Sequence, residues 1–287
     1  MLPSKNLDEN TPSNNCLHRY FSIDDTYHRK VMASCGLSIL PDRRTFDRRF
    51  KVLPVTLFIG TMGRRFVAQG LADCTIASID STIIRTRGTK VWHKSHIKSN
   101  TVPRSGIDTD ARWGFTATKG WSYGYKLHMC CSTRKVVVPL SARISTANIP
   151  DNTVYQDLVE QLPDDIRYVV ADAGYDDWKL YDYTRQRGAR LVCPIRRYRH
   201  TKGPRLDLIS FYKSRKGQRI YGTRSVSIES LFQCIKDTFG VSSVPVIGFA
   251  NVSSYLLMCV LVYQIAVYYN CIMGKNNPRC IKWMLGN

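Results

Sequence analysis

Ile166-Arg-Tyr-Val-Val-Ala-Asp172-Ala-Gly174-Tyr175 is an apolar, β-branched run that stops on a carboxylate. Such a run reads as a buried strand. Helical patterns flank it: Asp151 can cap a helix running to about Leu162, and another runs from about Asp176 to Gln186 and stops at Gly188. A further strand follows, Arg190-Leu-Val-Cys-Pro-Ile195. Upstream lie a strand, Cys74-Thr-Ile-Ala-Ser-Ile-Asp80-Ser-Thr-Ile-Ile84, and a hairpin made of Tyr123-Gly-Tyr-Lys-Leu-His-Met-Cys-Cys131 and Lys135-Val-Val-Val-Pro-Leu-Ser-Ala-Arg143. Strands interleaved with helices predict an α/β fold, a mixed five-stranded sheet flanked by helices. Ligands gather at the carboxyl ends of strands in such sheets, and Asp172 is placed at one. Asp80 falls in mid-strand.

Around this core the chain divides by composition. Residues 1–37 are polar, without the apolar h-region of a signal peptide. Residues 38–72 form a small, basic, helical region. In it, Asp42 can cap a helix bearing Arg43, Arg44, Arg48 and Arg49. That helix suits DNA reading and a solvated surface equally. Residues 73–245 hold these strands and helices as one domain, and 246–287 form an apolar helix and tail. Residues 249–269 could pass for a membrane span. However, they contain Asn251, Ser253, Ser254 and Gln264, and the uninterrupted apolar core is far shorter than the ~20 residues a span needs. A buried helix, and no membrane, is the expectation. Ten cysteines show no CxxC pair, which argues against a zinc ribbon and for a reduced, cytoplasmic protein.

Charge narrows the function. Forty-two Lys and Arg stand against 22 Asp and Glu among 287 residues, a net charge of +20, with a pI near 9.7. The excess is clustered in residues 85–120 and 196–219, the second including Arg196 and Arg197. Both read as long loops, suited to sequence-independent backbone contact with nucleic acid. Trp92, Trp113, Trp121 and Tyr123 could stack on unpaired bases or pack in the core. His93 and His96 are spaced for one metal but lack further ligands.

Three acids in distinct settings carry the chemistry: Asp80 and Asp172 on strands, and Glu229 on the helical pattern Ser225-Val-Ser-Ile-Glu229-Ser-Leu-Phe-Gln-Cys-Ile-Lys236. Each alone is a weak signal, since strand-end aspartates often cap turns and helix glutamates are usually solvated. A carboxylate between apolar neighbours, such as Asp80, needs a partner, and a metal is one. Mg²⁺ takes a few carboxylates and completes its octahedron with water and phosphate oxygens. Two such ions can serve phosphodiester chemistry, with Asp80 bridging both and Asp172 and Glu229 each completing one site. Asp73, Asp108, Asp110, Asp176 and Asp177 are lower-ranked substitutes.

The motifs then resemble the DDE transposases of bacterial and archaeal insertion sequences. The pieces run in order: Ile79-Asp80-Ser81-Thr82, Gly124-Tyr125-Lys126-Leu127-His128, Thr146-Ala147-Asn148-Ile149-Pro150-Asp151-Asn152, and Asp172-Ala173-Gly174-Tyr175-Asp176. Tyr221, Arg224, Glu229 and Lys236 resemble the Tyr-Arg-Glu-Lys pattern of one branch. Four residues separate Arg224 from Glu229 where the pattern has three. The resemblance implies an RNase H-like catalytic domain with Asp80, Asp172 and Glu229 as catalytic, metal-binding residues. It also implies Mg²⁺ as cofactor, with Mn²⁺ as substitute, and Tyr221, Arg224 and Lys236 as contacts to transposon-end phosphates. Lys126, Arg48, Arg49, Arg196 and Arg197 are further DNA-binding candidates. The expected activity is cleavage at transposon ends and strand transfer into target DNA by a nucleoid-associated homodimer. An RNase H-fold nuclease that cuts without joining, or an inactive DNA-binding relic, are the alternatives.

Overall fold

The computed structural model describes residues 18–19, 22–88, 90–101, 106–116, 120–195 and 203–285. The chain divides into two units, residues 1–53 and 54–287. In the first, α1 (Thr26–Ser34) is capped by Asp25 and α2 (Arg43–Val52) by Asp42, whose side chain accepts from Arg44 N at 2.9 Å. Arg48 and Arg49 lie exposed on α2.

The second unit begins with α3 (Val55–Ala68) and is built on β1 (Ala72–Arg85). β1 pairs antiparallel with β3 (Gly120–Lys135) along almost its whole length. On its other side it pairs parallel with β5 (Tyr168–Val170), and β5 pairs with β6 (Arg190–Val192). β3 also pairs with β4 (Pro139–Thr146) and, near its start, with β2 (Arg112–Thr116). The sheet is mixed, as expected, but has six strands. The extra strand, β2, lies inside the stretch expected to be loop, as does the short helix α4 (Lys94–Lys98). Its aromatic alternation, Trp113 and Phe115, is short and buried in basic sequence. Of the second basic stretch, 196–202 lie outside the described residues. The remainder forms α7 (Pro204–Lys213) and α8 (Arg215–Tyr221) rather than a loop.

Helices cover both faces. On one face α3, α9 (Ser230–Phe239) and α10 (Phe249–Ile272) pack over Ile84, Tyr125, Leu127 and Met129. On the other, α5 (Tyr155–Val159) and α6 (Trp178–Gln186) pack over Ile79, Cys130 and Val169. α10 is long and apolar enough to cross a membrane by composition, yet just over half of that stretch is buried. Gln264 explains one polar interruption: its Nε2 is fully buried and donates to Ile59 O at 3.0 Å and Pro139 O at 2.9 Å, tying α10 to α3 and β4.

His128 of β3 is also fully buried, with Nε2 at 2.7 Å from Ser145 Oγ. Burial pushes its pKa down to about 4, against the opposing charge of Asp151. A histidine depressed below its unfolded value near 6.5 gives stability that is complete above that value and lost as pH falls through about 4. The urea midpoint should therefore drop between pH 6.5 and 4.5, and less so in His128→Gln. Equal drops in the two proteins would assign the pH dependence elsewhere.

Candidate active site

Strand register brings the two aspartates together. Ser78 of β1 pairs with Val170 of β5, and Asp80 and Asp172 each lie two residues beyond. There β5 ends while β1 runs on to Arg85, so the sheet opens into a cleft beside Asp80. The cleft is about 1220 Å³, and its wall includes Asp80, Asp172, Asp151, Lys126, Lys236 and Trp121. Asp172 accepts from Gly174 N at 2.8 Å, capping a single 3-10 turn, Ala173–Tyr175. A Cβ on Gly174 would come within 2.9 Å of Asp172 Oδ1, which is why glycine stands in that motif. Gly124 is fixed more firmly still, since a Cβ there would meet Ile84 O at 2.1 Å.

Asp80 is 15 % exposed, and its Oδ1 accepts from Ser81 N at 2.8 Å. Burial pushes its pKa up to about 6. Arg224 opposes the shift, and the charges of Asp172 and Asp151 add to it. Arg224 Nη2 donates to Asp80 Oδ2 at 2.5 Å, and Nη1 to Glu229 Oε1 at 2.7 Å. Glu229 is more open than Asp80, its side chain 53 % exposed. The extra residue between Arg224 and Glu229 is absorbed by a π-helical turn, Ser225–Glu229, leading into α9. In a π turn residues five apart are aligned, as residues four apart are in an α-helix, so the two side chains still meet.

The other candidates divide. Lys236 Nζ reaches Thr82 Oγ1 at 2.5 Å within the cleft. Lys126 lines the cleft, but its Nζ is held by Ile149 O and Asp151 Oδ1, both at 2.8 Å. Tyr221 packs edge-on against Tyr212, 5.2 Å between ring centroids. Arg48 and Arg49 belong to the first unit. Arg196 and Arg197 lie outside the described residues. Asp151 does not cap a helix as expected. It pairs with Lys126 and faces the cleft, and its place in the Asn148–Asp151 motif was the signal available.

The substitute carboxylates have structural partners. Asp73 accepts from Thr75, Asp176 from Arg205 and Tyr181, and Asp177 caps α6. Asp108 and Asp110 accept from the backbone N–H groups of Gly248 and Phe249 at the start of α10. Among the aromatics, Tyr123 is buried and Trp113 donates to Trp92 O at 2.7 Å. Trp121 and Phe115 are 56 % and 59 % exposed at the cleft.

The oxygen donors suit a hard divalent cation in kind, and the guanidinium between Asp80 and Glu229 shows that the pair accepts a cation. Among the described residues, no three acidic, histidine or cysteine groups are close enough as they stand to hold one ion. His93 and His96 contact only edge to face, 5.5 Å between ring centroids.

Comparison with known proteins agrees with the motifs. The family model described as a transposase DDE domain matches residues 73–265. No curated protein matches the chain. Among solved structures, it is similar to a piggyBac transposase synaptic complex with hairpin DNA at 13 % identity and a TM-score of 0.38. That match covers 96 % of this chain and 66 % of the other, just under two thirds of its length. A Mos1 mariner paired-end complex with Mn is similar at 10 % identity and a TM-score of 0.25, over 94 % and 82 %. Structural likeness at this level carries no inference about chemistry. The family match spans most of the chain and all three acids: the chain belongs to the transposase DDE-domain family.

Proposed function

We propose that the protein is a DNA transposase that cleaves at the ends of its element and joins the 3′ ends to target DNA. The observation that carries this reading is the register of Asp80 and Asp172 at the open end of the sheet, with Glu229 drawn to Asp80 through Arg224. Asp80, Asp172 and Glu229 would hold divalent cations, Mg²⁺ in the cell with Mn²⁺ as substitute. The chemistry such a cation supplies when bound is neutralisation of phosphate charge and activation of the attacking oxygen. The chain's own residues do the rest. Asp80, 15 % exposed and accepting from Ser81 N, is held in place on its strand. Lys236 offers a cation to a phosphate beside Thr82. The cleft of about 1220 Å³ would receive the DNA strand, and the net charge of +20 draws the polyanion in. Synapsis of two ends would take two copies, acting on DNA at the nucleoid.

The test is strand cleavage and joining on DNA carrying the element's ends, with and without Mg²⁺, in the intact chain and in Asp172→Ala. Metal-dependent nicking and joined product, both lost in the variant, is the expected result. Nicking without joining would make the protein a nuclease. DNA binding with neither activity would make it a relic.

A further inference from the structure

Arg224 holds two of the three acids at once. Its side chain is 15 % exposed, with Nη2 on Asp80 and Nη1 on Glu229. Its Nε is buried with no hydrogen-bond partner among the described residues. A guanidinium recognises phosphate by presenting paired N–H donors from one planar fork. Each terminal nitrogen commits an N–H to a carboxylate and Nε is buried, so while the two acids hold it the guanidinium cannot turn a fully paired fork toward DNA. Conversely, the carboxylate oxygens it occupies are ones that a divalent cation would take. Guanidinium and cation compete for Asp80 and Glu229, and those carboxylates compete with any phosphate for the guanidinium. The π-helical turn creates the arrangement by placing Arg224 alongside Glu229 despite the extra residue.

We propose that Arg224 couples cation loading to the arrival of a DNA phosphate. The guanidinium caps the Asp80–Glu229 pair until a backbone phosphate takes it, and the released carboxylates then bind the divalent cation. Lys236, which lines the cleft beside Thr82, would hold that phosphate as Arg224 turns toward it. Once uncapped, Asp80 has Asp172 and Asp151 as nearby charges and no compensating guanidinium, which favours a cation. Coupling of this kind is reciprocal, so the cation must tighten DNA binding by the same factor that DNA tightens cation binding. The identity of the polyanion rests on the transposase reading, but the competition itself does not.

The experiment is calorimetric titration of Mn²⁺ into the intact chain, first alone and then with a short DNA duplex, for the parent, Arg224→Gln and Arg224→Lys. Without DNA, Arg224→Gln should bind Mn²⁺ about tenfold more tightly than the parent. The duplex should tighten the parent by a similar factor and Arg224→Gln much less. If Arg224 merely braces the two acids, its loss will loosen them, and Arg224→Gln will bind Mn²⁺ equally or more weakly. That result overturns the proposal. Near-UV circular dichroism checks the fold. Should Arg224→Gln not fold, Arg224→Lys decides: a lysine reaches one carboxylate at a time, so it should bind Mn²⁺ more tightly than the parent, and an unchanged or weaker affinity overturns the proposal. A parent that ignores the duplex would also overturn the coupling. The arm without DNA involves no cleavage, so its failure leaves the transposase reading standing.

Discussion

Asp80→Asn and Asp172→Asn should each lower Mg²⁺-dependent strand cleavage by on the order of 10³-fold or more, with little change in DNA affinity. The amide keeps the shape of the carboxylate but removes its charge, and cation binding is what the charge is for. The two losses should not add, because residues that act as one unit fail together. Asp80→Asn should also leave Arg224 held only by Glu229, among its two acids, so a stability measurement belongs beside the rate. Asp73→Asn is the control, since Asp73 accepts from its neighbour Thr75 and faces Arg134. Quantitative cleavage assays at saturating Mg²⁺ decide the matter. Retained cleavage in both variants would remove Asp80 and Asp172 from the chemistry.

Asp108→Ala should be the most damaging of the acid substitutions for stability, lowering it by about 3 kcal/mol. Asp108 is 3 % exposed and gathers three donors. Tyr125 OH lies at 2.8 Å, Gly248 N at 3.1 Å and Asp110 N at 3.2 Å. Removing the carboxylate strands a buried hydroxyl inside the sheet and an amide at the start of α10. For a unit of this size the loss corresponds to a fall in Tm of roughly 6–12 °C. Asp108→Asn, which keeps an acceptor oxygen, should recover part of it. Thermal unfolding followed by circular dichroism is the measurement. A Tm within a degree of the parent would mean that the node joining β3 to α10 does not hold the fold.

Asp108 also shows where reading by residue type runs out. In the sequence it is one more acid in a basic stretch, open to metal binding. Its partners come from residues 17 and 140 positions away, and no local pattern announces them. Asp151 is the converse case: its local setting suggested a helix cap, while the fold gives it Lys126 and a place in the cleft. The strand β2 was missed because five residues of aromatic alternation, set in basic sequence, do not outweigh the surrounding charge.

The sequence by itself determined the mixed α/β alternation, the strand settings of Asp80 and Asp172, the helical setting of Glu229 and the attraction to a polyanion. Periodicity, β-branching and net charge are local or additive properties, so they survive without coordinates. Tertiary structure alone decided three things. It set the register that puts Asp80 level with Asp172, because strand pairing is fixed by the packing of both sheet faces. It produced the π turn that absorbs the extra residue before Glu229, because that turn answers to where the helix must meet the sheet. And it committed Arg224 to two carboxylates rather than to solvent, because only the fold brings a side chain and an acid 144 residues apart within 2.5 Å.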